Sequence, residues 1–166
     1  MKRGLLIIFP FLVVLNSLLA PAAELAPCKG EDTALIIDTA SHTMWMCQKS
    51  DEIAEFPVAI GQCGVEKRGK GDKKTPRGEF DLGMPRPSSK FLLFIPIGYP
   101  NAVQLAKGYS GGNIGIHGPH RESLWLGKES AKVDWTRGCI AVGTDEDILT
   151  VAKWVKDQGV KKVIIR

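Results

Sequence analysis

The chain has 166 residues, a length that favours one domain, and its 44% hydrophobic content is that of an ordinary globular core. A formal net charge of +4 is too small to argue for nucleic acid. The one dense basic stretch, "EKRGKGDKK" at Glu66 to Lys74, has no interleaved aromatics to stack on bases, which excludes a strand-tracking patch and leaves at most a weak attraction for an anionic polymer.

Residues 1–22 differ from the rest. Lys2 and Arg3 precede an almost wholly apolar run, Leu5 to Leu19, and Ala20-Pro21-Ala22 offers small residues where a signal peptidase reads. This is the layout of a secretory signal. The run is short and wrongly flanked for a membrane span, and Pro10 weakens any spanning helix. The mature chain is therefore expected in the periplasm or cell envelope, touching the membrane only through its export signal. A retained N-terminal anchor is the alternative. "LAPC" at Leu25 to Cys28 raises a lipid-anchored cysteine, against which Pro27 stands where a small residue is wanted. Loss of Lys2 and Arg3 leaves 20 basic against 18 acidic residues, a net charge of about +2.

Export implies oxidising surroundings, where cysteines tend to pair. Cys28, Cys47, Cys63 and Cys139 permit three full pairings, and the sequence does not choose among them. Cys28 with Cys47 is favoured only because both fall near the first expected hairpin.

"TALIIDT" (Thr33 to Thr39) and "TMWMCQK" (Thr43 to Lys49), joined by a turn, read as that hairpin. "IAEFPVAIG" (Ile53 to Gly61) is a third strand, in which Pro57 implies an edge or a bulge. The Gly61 to Lys74 segment reads as a flexible solvated loop, with a lid as the sharper option. "TPRGEFDLG" (Thr75 to Gly83) turns into a strand, "MPRPSS" is a loop, and "FLLFIPI" (Phe91 to Ile97) is a buried apolar run. A short helix is expected over Ala102 to Lys107, and "NIGIHG" (Asn113 to Gly118) is a short strand ending at a histidine. The clear helix starts at Thr144, a capping residue followed by Asp145, Glu146 and Asp147. Ile148, Val151, Ala152 and Val155 then form one apolar face, Gly159 stops the helix, and "VKKVIIR" is the final strand. The fold class is mainly β, a sandwich or barrel of mixed strands with one packed C-terminal helix, spanning residues 30–166.

Chemistry concentrates in "IGIHGPH" and "WTRGCIAV", two short apolar strands that run into glycine. Glycine beside a reactive side chain allows backbone and substrate to approach closely. A thiol is a weak nucleophile until a base removes its proton. Cys139 is the candidate nucleophile and His117 its general base and acid. The amides of Gly138 and Cys139 are expected to converge on a developing oxyanion. The bland readings are a buried structural thiol and a satisfied core histidine. His117, His120 and Cys139 also meet the minimum for a catalytic zinc site, but a Cys–His pair already explains the set, so neither metal nor cofactor is expected. His42 reads as an exposed turn residue and Trp135 as a packing residue.

These motifs resemble the L,D-transpeptidase catalytic domain family, the YkuD-like domain of exported enzymes that act on bacterial peptidoglycan. The family pattern is His-Gly, a variable stretch, then Ser/Thr-x-Gly-Cys, and here it reads His117-Gly118 and Thr136-Arg137-Gly138-Cys139. "KTPRGEF" (Lys74 to Phe80), "YPNA" (Tyr99 to Ala102) and "GGNIGIHG" (Gly111 to Gly118) also fit, and "DWTRGCIAV" is similar to a branch with Asp-Trp-Thr before the motif. Four ordered motifs are a strong signal. The chain departs from many members in having Arg137 where they have a second histidine, Ala141 where they have Arg or Asn, and a long interval between His117 and Cys139.

The resemblance implies that Cys139 attacks a peptidoglycan stem peptide after the L-centre of its diamino acid, releases a terminal D-amino acid and forms a thioester. An amine of a second stem peptide, or of a lipoprotein lysine, then resolves it. Arg137 would clamp a substrate carboxylate, unless it is a structural ion pair, and Thr136 and Gly118 would line the substrate. His117 would be oriented by a backbone carbonyl. Water as acceptor would make the same site an L,D-carboxypeptidase, or an amidase releasing wall-linked lipoprotein. A non-catalytic wall-binding protein and a zinc hydrolase are the remaining alternatives.

Overall fold

Thr33–Asp38 (β1) is apolar on both sides because it has two cores to fill. In the computed structural model, which describes residues 26–166, Leu35 and Ile37 face the main core, while Ala34 and Ile36 face a small second cluster with Cys28 and Cys47. The export signal expected over residues 1–22 lies outside the described residues. Among the described residues no helix is long and apolar enough to cross a membrane.

Cys28 and Cys47 are fully buried and joined by a disulfide. A cysteine so bonded has no thiol to carry a lipid, which removes that reading of "LAPC". The bond closes a loop of sequence separation 19. Replacing both cysteines with serine should therefore lower stability by about 3 kcal/mol, read from urea unfolding. Cys63 and Cys139 are not disulfide-bonded.

β1 pairs antiparallel with Thr43–Gln48 (β2), which pairs with Asp51–Ala59 (β3). β3 is neither an edge nor bulged at Pro57. Its residues up to Pro57 pair with β2, and Val58 and Ala59 pair with Ile140–Val142 (β8). Pro57 stands where the strand changes partners, and the bulge falls instead at Ile53 of β3, opposite the step from Met46 to Cys47 in β2. The sheet continues through Gly115–His117 (β7) to Leu92–Pro96 (β6) and Arg86–Ser88 (β5). On the other side of β1 lie Lys162–Ile165 (β9) and Gly78–Asp81 (β4). The nine-stranded order is β4-β9-β1-β2-β3-β8-β7-β6-β5. Only the β1–β9 and β7–β8 pairs are parallel. The sheet curls until a bridge between Leu82 and Ile97 joins the region after β4 to the end of β6.

Ala102–Ala106 (α1) is short, with a capping box between Asn101 and Gln104. Asp145–Asp157 (α2) is the packed helix. Thr144 accepts from the Asp147 amide, Asp147 returns a bond to the Thr144 amide, and Ile148, Val151, Ala152 and Val155 enter the core. Each of the larger three contributes about 2 kcal/mol through burial.

Two expectations need correction. Arg86–Ser88, expected as loop, pairs with β6 as an edge strand, where its proline is tolerated. "FLLFIPI" is only partly buried, because it lies next to that edge. The Gly61 to Lys74 segment is largely exposed, as expected of a solvated loop, but it is tied down by hydrogen bonds rather than free. Asp72 accepts from the amides of Arg68, Gly69 and Lys74, and Ser110 bonds back to Arg68 and Lys70. The Arg121–Lys132 stretch, for which the sequence carries no clear pattern, forms short 3₁₀ turns broken at Gly127. Arg121 ties it to α2 through a two-pronged pair with Asp145.

Candidate active site

The thiol and the imidazole arrive on neighbouring strands. In the parallel β7–β8 ladder, Ile116 pairs with Ile140 and His117 with Ala141. Cys139, immediately before β8, therefore sits beside the strand that carries the histidine. Both side chains line one cleft of about 430 Å³, with Lys90, Phe91, His120, Trp135 and Arg137.

The turn that presents Cys139 is built from Thr136 and Gly138. The Thr136 hydroxyl donates to the Cys139 carbonyl (2.7 Å) and accepts from the Gly138 amide (3.0 Å). Gly138 has φ +116°, and a β-carbon there would meet the Lys74 carbonyl oxygen at 2.4 Å. The turn is locked from that side too, since Thr75 Oγ1 donates to the Gly138 carbonyl. The Gly138 amide is thus bonded inside the turn, and Thr136, which shapes the turn, also lines the cleft.

His117 is 2% exposed. Its ring stacks on Phe91 with centroids 3.9 Å apart and lies nearly parallel to Phe94, its cross-strand neighbour, at 6.3 Å. Nδ1–H donates to the Gly118 carbonyl at 2.7 Å, which leaves Nε2 as the ring's lone-pair site. The Gly118 carbonyl thereby fixes the orientation and tautomer of the ring. Position 118 is glycine because a β-carbon would meet the Phe91 carbonyl at 2.7 Å and Ile148 of α2 at 2.9 Å. Burial pushes the imidazole down to about 4, against the Gly118 bond, which favours the proton.

Cys139 is half-buried, and its Sγ points at the Asn113 carbonyl (3.5 Å). Burial pushes the thiol up, while a hydrogen bond from the Gly115 amide and the Lys67 charge pull it down. Near neutrality the free site thus holds a neutral thiol beside a neutral imidazole, not a preformed ion pair.

The same sulfur borders a second cleft of about 740 Å³, walled by Lys67, Lys70, Lys73, Lys90 and Arg137, with Gly111 to Ile114 along one side. No carboxylate lines it. Arg137 is exposed and, among the described residues, makes no ion pair, so its guanidinium is available to a ligand. Lys67, Lys90 and Phe91 were not legible as site residues, because a basic loop and an apolar run carry no signal of what they will face.

His120 does not join a metal-binding group. Its Nδ1 accepts from the Glu122 amide (3.3 Å), and among the described residues no three His, Cys, Asp or Glu side chains are placed to hold a metal ion. His42 is not simply exposed, since Nε2 pairs with Asp134 at 3.1 Å and Asp134 also accepts from the Ile60 amide. Trp135 packs, tilted, against His117 and Phe91 and donates to the Ser130 carbonyl.

The fold is shared with solved structures. The helical cell shape determining protein Pgp2 from Campylobacter jejuni superposes with a TM-score of 0.66 at 23% identity, covering 82% of this chain and 48% of that one. Bd1075 from Bdellovibrio bacteriovorus gives 0.58 at 22% identity, covering 81% and 47%. An L,D-transpeptidase from Mycobacterium smegmatis gives 0.52 at 15% identity, covering 81% and 58%. This chain thus spans about half the length of these solved proteins. No curated protein sequence matches it significantly. The YkuD model of the L,D-transpeptidase catalytic domain matches residues 32–165, and the chain belongs to that family.

Proposed function

We propose that this chain is an exported cysteine L,D-transpeptidase that acts on peptidoglycan stem peptides through a Cys139 thioester. The observation that carries the reading is Cys139 and His117 on adjacent paired strands, lining one cleft, with the lone pair of the imidazole left on Nε2. Family membership supports the substrate class. The basic second cleft supports it independently, because stem peptides carry carboxylates and Arg137 offers a two-pronged donor to one of them. The secretory layout of residues 1–22 supports export, with residues 30–166 as the catalytic domain. A role in cell shape, the one named for Pgp2, is part of the proposal.

Sulfur attacks the amide carbon following the L-centre of the diamino acid as His117 Nε2 takes the thiol proton. The tetrahedral oxyanion is met by the Cys139 amide, now that the Gly138 amide is committed elsewhere. The C–N bond then breaks, His117 returns the proton to the departing D-amino acid, and a thioester remains. An incoming amine attacks that thioester, gives its proton to His117 and forms the new amide. The thiol is regenerated when the proton returns to sulfur.

The deciding experiment incubates pure protein with a disaccharide tetrapeptide, with and without a lysine-bearing lipoprotein peptide, and reads the products by mass. Cross-linked dimer or a peptide conjugate is the expected result. Tripeptide alone would make the site a hydrolase, and retention without turnover would make the protein a wall binder. Cys139→Ala should lower product formation at least about a thousandfold while leaving the circular dichroism spectrum unchanged. Unchanged turnover in that variant sinks the thiol mechanism.

A further inference from the structure

The acyl-transfer scheme leaves one buried charged group without a task. Lys67 is 4% exposed, and its Nζ donates to Asp72 Oδ1 at 2.6 Å and to the Gly69 carbonyl at 3.0 Å. The ammonium also lies 5.9 Å from the centre of the Tyr99 ring, and the Tyr99 hydroxyl donates to the Lys67 carbonyl. Four hydrogen bonds to Asp72 outweigh its burial and hold its carboxyl well below the usual range, so the pair stays ionised. A buried ion pair is rarely the cheapest way to stabilise a fold, since apolar side chains of similar volume often do as well. The pair therefore calls for another explanation.

Its orientation supplies one. Lys67 lines the basic cleft together with Cys139, and Asp72 does not. The positive end of the pair faces the sulfur's cleft, with the negative end behind it. The Lys67 stem also supports the loop that touches the sulfur. A β-carbon on Gly111 would meet Lys67 Cε at 3.3 Å, and two residues on, the Asn113 carbonyl receives the thiol. Two of the three ammonium protons are already committed, which leaves substrate binding to the exposed Lys70, Lys73, Lys90 and Arg137.

We propose that Lys67, held by Asp72, is a positioning residue for Cys139, placing a fixed buried positive charge at the cleft wall that favours the thiolate as it forms. This rests on Cys139 being the nucleophile. The other titratable groups around the sulfur are His117 from β7, His120 shortly after it, Lys90 ahead of β6, Arg137 in the same turn, and Lys70 and Lys73 from the segment that carries Lys67. The lysines and Arg137 among them are exposed, so Lys67 is the cation set apart by its burial and its fixed place. The Lys67 charge already acts on the thiol in the expected direction, opposing the effect of burial.

The test is the rate of iodoacetamide alkylation of Cys139 against pH, by intact mass, in a Cys63→Ser background that removes the exposed competing thiol. Lys67→Met should move the midpoint upward by about one unit, roughly a tenfold loss of rate at pH 8, and Lys67→Arg should recover most of it. An unmoved midpoint in folded Lys67→Met, or an Arg variant as slow as the Met variant, overturns the proposal. Should Lys67→Met not fold, salt decides with the Lys67-containing protein. A buried charge is poorly screened, so the midpoint should stay within about 0.3 unit between 0.05 and 1 M salt. A larger rise would assign the effect to the exposed lysines instead. Turnover that survives Cys139→Ala would remove the nucleophile reading while leaving the alkylation shift intact, so the two failures are distinguishable.

Discussion

Replacing His117 with phenylalanine should abolish turnover and, at the same time, remove most of the fold's sensitivity to mild acid. Loss of the base costs about a hundred- to ten-thousandfold in rate. The stability effect follows from where the ring sits. It is packed between Phe91 and Phe94 and held neutral, with its proton affinity pushed down to about 4. An unfolded histidine takes up a proton near pH 6.5. Between these values the unfolded chain binds more protons than the folded one, so stability is complete above about pH 6.5 and falls as pH drops towards 4. The full difference is worth about 3 kcal/mol. Phenylalanine has no proton to gain and fits a stacked site, at a cost of about 1 kcal/mol for the Gly118 carbonyl left without its donor. Urea unfolding at pH 7.5 and 4.5 reads both effects. The wild type should lose stability between the two, and His117→Phe should lose clearly less. Equal losses in the two proteins would show that acid acts elsewhere. In activity, the free enzyme should show its acid limb near pH 4 in kcat/KM, well below that of an ordinary histidine.

Gly138→Ala should be far more damaging than alanine at another left-handed glycine. At Gly138 the backbone sits at φ +116° and the added methyl would lie 2.4 Å from the Lys74 carbonyl oxygen. That atom belongs to main chain and cannot rotate away. Strain and displacement together should cost about 3 kcal/mol or more. Gly64 provides the control. It has φ +77° and nothing within 4 Å of a β-carbon, so alanine there costs only about 1 kcal/mol of backbone preference. Urea midpoints of the two variants, with Cys139 alkylation as a local readout, separate the cases. Similar midpoints for both would mean that the segment carrying Lys74 yields easily.

Much of this architecture could be read from the chain because its signals were local. Thr144 and the acidic residues after it mark a helix start, and the spacing of Ile148, Val151, Ala152 and Val155 marks its face. Histidine and cysteine each stand beside glycine at the end of an apolar run, and the site that joins them was legible on that basis. What escaped depends on partners distant in sequence. Arg86–Ser88 has no strand pattern of its own and pairs only because β6 offers an edge. Asp72 and Lys67 look like members of a solvated charge run until the fold closes over them. What the sequence does not disclose at Gly138, Thr136 and Gly118 has a subtler reason. A motif names which residues meet, but not which of their polar atoms are already used in holding the motif together.

One consequence concerns how the molecule comes apart. β3 belongs to two ladders, one on each side of Pro57, and β8, which follows the thiol directly, hangs from the second. Neither half of the sheet can melt without stripping the other of a hydrogen-bonded neighbour. The amides of β8 should therefore exchange with solvent only when the whole domain opens, and Cys139 is joined directly to that strand.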